Sequence, residues 1–297
     1  MSRETSAGTG KPYGLERVCR VLEFPRSTIY AQRQAARVVP LHPARRGPKP
    51  KVSDADLLAA IRADLAASPF TGEGHRKVWA RLRILCDIRV GRSRVLRLMR
   101  EHQLLSPHRR PQGAPVRHDG TITTERPNAM WGTDGIRIET VDEGWVWVFS
   151  AVDHFDASCV GIHAVKIGNR FAALQPIAQG LQSEFGATGA DAGRGLALRM
   201  DNGTQYTADD FLNQVKFWGI APSFAFVAEP QTNGVAERFN RTLKEQTIHG
   251  RVFKNVEELR AAVTAFKERY NHHWRLEKLG FMSPLEARQA YAMRKAA

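Results

Sequence analysis

Apolar residues recur at helical spacing through the first hundred positions and then shift to the alternation of strands. Leu15, Val18, Cys19 and Leu22 share one helical face, Glu23-Phe24-Pro25 breaks the pattern, and Ser27 is placed to cap a second helix through Ile29 and Tyr30. This predicts a helix-turn-helix module over residues 1–36. A second module, residues 53–106, opens with Ser53 as N-cap ahead of Leu57, Leu58, Ile61 and Leu65, and Pro69 follows the end of that helix. Next come a helix around His75 to Leu85, a turn near Asp87, and a helix capped by Ser93 that turns Val95, Leu98 and Met99 inward. Two Pro-rich basic stretches, 37–52 and 107–120, read as extended linkers.

From about Thr121 the pattern is β-rich. Met130 to Thr140, Trp145 to Val152 and Ser158 to Lys166 read as three consecutive strands on short turns, an antiparallel meander. A helix from Phe171 to Phe185, a short strand at Leu196 to Met200, a helix at Ala208 to Phe217 and a short strand near Ser223 to Phe226 follow. Strands that form a meander and then alternate with helices predict an α/β domain, a mixed sheet flanked by helices, over residues 121–290.

Composition sharpens this picture. A chain of 297 residues, 42% hydrophobic, has material for two or three domains. No apolar run approaches the ~18 residues of a spanning helix, and even Trp145 to Val152 is interrupted by Ser150. No membrane role is expected. Cys19, Cys86 and Cys159 are odd in number and far apart, which argues against a disulfide framework or a paired-cysteine zinc site. With a polar Met1 to Gly10, they point to the cytoplasm. The net charge of +14 is unevenly placed: residues 1–118 hold 24 Lys and Arg against 9 Asp and Glu, and the rest hold 20 against 21. An excess confined to the helical modules is the footprint of a polyanion binder. Arg94, Arg97 and Arg100 recur every third position, which predicts a cationic helix face suited to a DNA groove.

Three acids stand out by position. Asp134 falls mid-strand, where a carboxylate is unfavourable unless it faces positive charge. Asp201 follows a strand end in Arg199-Met200-Asp201-Asn202-Gly203, and Glu237 falls in the opening turn of a helix that begins after Pro230, capped by Thr232 or Asn233. On that helix Val235, Phe239 and Leu243 form an apolar stripe, while Glu237, Asn240, Arg241 and Lys244 gather on the other side. Such carboxylates can converge on a hard divalent cation. Each also has a plainer reading: a turn at Asp201, dipole complementation at Glu237, a structural ion pair at Asp134.

As an ordered set these motifs resemble a known family. Trp131-Gly132-Thr133-Asp134, Asp201-Asn202-Gly203-Thr204-Gln205-Tyr206 and Asn233-Gly234-Val235-Ala236-Glu237-Arg238-Phe239-Asn240, with 35 residues between Asp201 and Glu237 and Lys244 seven beyond the Glu, resemble the acidic triad of integrase-core transposases. The chain is most similar to the second-frame (OrfB) proteins of the insertion-sequence-three family. Gly74-His75-Arg76-Lys77-Val78-Trp79 through Arg100 matches that family's helix-turn-helix, and Tyr270-Asn271 to Ser283-Pro284-Leu285-Glu286-Ala287 its closing segment.

The resemblance implies a ribonuclease-H-like core in which Asp134, Asp201 and Glu237 are catalytic and bind two Mg²⁺ ions, with Mn²⁺ as a substitute. It implies phosphate contacts from Lys244, with Arg241 and Asn240 as weaker candidates, and DNA contacts from Arg76, Lys77, Arg94, Arg97 and Arg100. The expected activity is cleavage of element ends and strand transfer, with terminal repeats and target DNA as partners, a homo-oligomer on paired ends, and an upstream-frame partner or fusion. The expected location is the cytoplasm, at the nucleoid. No leucine-zipper heptad run is present, and no His-His-Cys-Cys spacing precedes Thr121, so zinc is not expected. A nuclease of the same fold without strand transfer, and an inactive DNA-binding regulator, are the alternatives.

Overall fold

The computed structural model describes residues 3–35, 51–106, 124–225 and 234–296. Most of both expected linkers, and the expected caps Thr232 and Asn233, lie outside the described residues. The chain divides into two compact units, residues 1–51 and 52–297.

In the first unit, α1 (Leu15–Val21) and α2 (Arg26–Ala35) form the expected helical pair, with Cys19 buried between them and Glu16 ion-paired to Arg20 and Arg26. Ser27 is not the cap of α2. It lies inside the first turn, because the carbonyl of Pro25 already accepts the Thr28 amide.

The second unit begins with α3 (Asp54–Ala67), α4 (His75–Leu85) and α5 (Arg92–Glu101), packed around Leu57, Ile61, Val78, Leu82, Val95, Leu98 and Met99. Ser53 caps α3 as expected, its hydroxyl accepting the Asp56 amide at 3.0 Å. Ser93 does not cap α5; Gly91 precedes the helix, and its first turn is fixed by the tertiary bonds of Arg94 to Asp54 and the Val52 carbonyl. Buried Arg81 grips Asp64 at 2.7 Å and Glu73 at 2.5 Å, tying α3 and the loop before α4 together.

Five strands form one mixed sheet in the order β3-β2-β1-β4-β5: β1 (Met130–Thr140), β2 (Gly144–Asp153), β3 (Cys159–Val165), β4 (Ala197–Met200) and β5 (Ala221–Phe224). The first three are the expected meander, and β4 and β5 run parallel to β1. Alternation divides their side chains between two apolar layers. Trp131, Leu198 and Met200 meet α6 (Arg170–Phe185) and, beyond the short α7 (Thr204–Thr207), α8 (Asp209–Phe217). Ile136 and Ile138 meet α9 (Gly234–Leu243) and α10 (Val256–His273) through Phe239, Leu243, Val263 and Phe266. α6 lies so close to β3 that a Cβ on Gly161 would stand 1.9 Å from the Pro176 carbonyl oxygen. α11 (Pro284–Ala296) closes the unit. Among the described residues no helix is long and apolar enough to cross a membrane.

The three-helix module is built into this domain. Phe70, from its α3–α4 loop, joins the sheet's core and meets Trp274 edge-on at 4.8 Å. Thr71 exchanges two backbone bonds with the Gln246 amide, 3.0 and 2.9 Å, in the π-helical turn Lys244–Ile248 that extends α9.

At the end of β2, Arg288 of α11 binds Asp153, Asp156 and Glu184 together. Burial, with the neighbouring Asp156 carboxylate, pushes Asp153 up to about 6. The folded carboxyl thus holds its proton well above its ordinary 3.8, so its contribution to stability is full below 3.8 and is lost as pH rises through 6. Replacing Arg288 with Met leaves buried like charges uncompensated. We expect a loss of about 3–5 kcal/mol near neutral pH in urea unfolding, shrinking towards pH 5 as Asp153 takes up a proton; an equal loss at both pH values would contradict this account.

Candidate active site

β1 places Asp134 on the sheet face covered by α9, in register with Ser150 of β2. It is half-buried, and both its oxygens are engaged: Oδ2 accepts from Asn240 Nδ2 at 2.8 Å and Oδ1 from the Gly135 amide at 2.8 Å. Asn240 is itself buried, and its carbonyl oxygen accepts the Ser150 hydroxyl at 3.2 Å. One amide thus straps α9 to two strands. Asp201 leaves the end of β4, the parallel neighbour of β1, and its Oδ1 accepts the Gly203 amide at 2.9 Å. A Cβ on Gly203 would lie 2.9 Å from that oxygen, so glycine lets the turn close on the carboxylate. Asn202 anchors the same turn to the Ala225 carbonyl at 3.1 Å. Glu237 is exposed in the first turn of α9, three residues before Asn240.

The three carboxylates feel one another. Burial raises the Asp134 pKa above its ordinary value; the Asn240 and Gly135 hydrogen bonds oppose that rise, while the charges of Asp201 and Glu237 add to it. Among the described residues, however, no three His, Cys, Asp or Glu side chains are gathered closely enough to hold an ion. Convergent, mutually repelling hard oxygen donors suit a divalent cation, and closing on one requires the exposed Asp201 and Glu237 side chains to swing towards Asp134.

The remaining sequence candidates separate into two groups. Arg241 and Arg100 are exposed and Lys244 is half-buried, so these face outward as expected. Asn240 does not: it belongs to the interior, bonded to Asp134 and Ser150, because it sits where the apolar stripe of α9 meets its polar side. Arg94 and Arg97 do not form a free cationic face either. Both bind Asp54 of α3, at 2.5 Å each, and Arg97 also binds Glu101 at 2.9 Å. Lys77 lies over the Trp274 ring beside Glu73, and Arg76 pairs with Glu277 at 2.7 Å. Helical periodicity identifies a shared face but not the acids that another helix brings to it.

Two residues of the site escape the motif reading. Ser150 has a sequence signal, a lone hydroxyl within an apolar strand. Arg199 shares the Asp201 face of β4, is 6% exposed and donates to Ser223 Oγ at 2.8 Å, a burial that its motif does not signal.

Known proteins match in the same order as these structural parts. The HTH-like domain matches residues 53–112, and two integrase core domain families match residues 124–230 and 218–284. The transposase for insertion sequence element IS629 of Shigella sonnei is 27% identical over 289 residues, covering 94% of this chain and 93% of that protein. Transposase InsD for insertion element IS2D of Escherichia coli is 28% identical over 243 residues, 78% of each chain. The chain belongs to the insertion-sequence-three family of transposases. The crystal structure of the catalytic core domain of BIV integrase, 20% identical, spans 57% of this chain and 99% of its own with a TM-score of 0.42. The transposase thus carries an integrase core, its mixed sheet flanked by helices, behind a helical HTH-like domain. It is a DNA transposase, in preference to a nuclease without strand transfer or an inactive regulator.

Asn240→Ala removes a hydrogen bond that favours the charged form of Asp134. The Asp134 carboxyl of this variant should titrate at higher pH than that of the parent protein, read by carbon NMR of labelled aspartates. An unmoved titration would show that the amide does not govern this carboxylate.

Proposed function

We propose that Asp134, Asp201 and Glu237 are the catalytic carboxylates of the transposase, and that they bind two Mg²⁺ ions, or Mn²⁺ in their place. The observation carrying this reading is the buried Asp134 carboxylate, pinned by Asn240 and opposed by the charges of Asp201 and Glu237. An integrase core implies polynucleotidyl transfer, and integrase-core proteins generally use divalent metal ions. Bound metal supplies an activated attacking oxygen, from water or a DNA 3′-hydroxyl, and stabilises the oxygen that leaves in an in-line displacement.

The protein's own groups do the positioning. Asn240 and Ser150 hold Asp134 in one orientation, the Gly203 turn presents Asp201, and α9 carries Glu237 beside Arg241 and Lys244. Both cations are placed to grip the phosphate flanking the scissile bond, without a covalent protein–DNA intermediate. In this reading residues 1–36 and 53–106 bind DNA, 37–52 and 107–120 link the parts, and 121–290 form the catalytic core. The substrates are the element's terminal repeats and target DNA. Two ends are paired by a homo-oligomer, an upstream-frame protein joins as partner or fusion, and the complex works at the cytoplasmic nucleoid.

Strand-transfer assays with pre-cut ends of the element test this. Asp134→Asn, Asp201→Asn and Glu237→Gln should each abolish cleavage and joining, as should chelation of divalent ions, while duplex affinity stays within a few-fold. Unaltered joining by any of the three variants would remove that residue from the catalytic set.

A further inference from the structure

The helices of the HTH-like domain begin in two ways. α3 opens with the Ser53 cap and carries Asp54 and Asp56 in its first turn. α4 and α5 instead follow Gly74 and Gly91, with no side-chain cap and no acid in the first turn. Each first turn presents a guanidinium, Arg76 on α4 and Arg92 on α5, beside the positive end of the helix dipole. An anion is seated between them, and it comes from the far end of the chain. Glu277, in the turn between α10 and α11, places Oε2 2.7 Å from Arg76 Nη1 and Oε1 3.9 Å from Arg92 Nη1. A single carboxylate bridging two helix starts 201 residues away in sequence from Arg76 is not a local helix pair. It occupies the place of an anion.

We propose that this Arg76–Arg92 cleft takes a backbone phosphate of duplex DNA, and that Glu277 is its in-chain competitor. The inference rests on the DNA-binding reading of the transposase and adds to it a contact surface. Guanidinium groups accept carboxylate and phosphate with the same geometry, so Glu277 reproduces the ligand in shape and charge. The three side chains are 51–55% exposed, which makes the pairs screened, weak and open to exchange. Duplex DNA favours that exchange, because each phosphate neutralised releases condensed counterions. Arg100, exposed two turns further along α5, extends the cationic line, whereas Arg94 and Arg97 remain held by Asp54. Displacing Glu277 also reaches the catalytic domain, since its neighbour Lys278 donates to the carbonyls of His154 and Phe155 beyond β2.

The test uses the full chain and a fluorescein-labelled duplex of random sequence, since phosphate contacts do not depend on sequence. Anisotropy titrations are run from about 50 to about 200 mM salt. E277Q should bind about two- to fivefold more tightly than the parent at the lowest salt. The R76A/R92A double variant should bind more weakly and flatten the salt slope by about two units. Adding E277Q to that double variant should then change nothing. The inference is overturned if E277Q fails to tighten binding, or if it tightens binding equally without the two arginines. Both outcomes leave the carboxylate assignments intact, because strand transfer by the triad variants reads those separately. A parent chain with no affinity for the duplex would remove the DNA-binding reading along with the cleft.

Discussion

The amide of Asn240 is the contact on which the catalytic face depends. It lies in an interface otherwise made of Ile136, Phe239, Leu243 and Phe266, and it joins a carboxylate on β1 to a hydroxyl on β2. A buried polar group left without a partner costs about 1–3 kcal/mol, so these three groups constrain one another. Sliding α9 along the sheet breaks both bonds while leaving the apolar contacts nearly as good. Apolar packing brings the helix down; the amide selects where it stops. The position of Glu237, one turn away, follows from that choice.

Charge is distributed by similar local constraints. The active face gathers acids that repel, with Asp134 carrying the burden because it is the buried member. The helical module carries many arginines, yet its tertiary pairs decide which of them stay available. Asp54 takes Arg94 and Arg97, which in turn hold its carboxyl below the ordinary value, and Arg81 is spent on Asp64 and Glu73. Net charge therefore overstates the cationic surface presented to solvent. What remains outward lies at the helix starts and along the outer side of α5.

Much of the fold was legible from pattern alone. The meander, α6 and the short parallel strands follow from alternation and from strand and helix lengths, since burying one face of each element leaves little freedom. Helix starts were less legible: Ser27 and Ser93 are good caps by chemistry, but Pro25 and the Arg94–Asp54 bond set the actual beginnings. The three acids were legible through their spacing, and their proximity was not, because strand order cannot be read along the chain. Asn240 was misjudged because a residue at the edge of a helical stripe turns inward or outward according to what the neighbouring sheet offers. Here that sheet offered Ser150 and Asp134.

Phe70 and Thr71 give the module's loop a place inside another domain's core and against the extension of α9. A module tethered only by flexible chain could swivel freely and present a bound duplex at any angle. Seated in this way, it acts as a jig: a helical ligand held by α4 and α5 enters the neighbourhood of the carboxylates along a limited set of headings. The spacing between the sequence that is gripped and the bond that is broken is then written into side-chain packing, not into linker length.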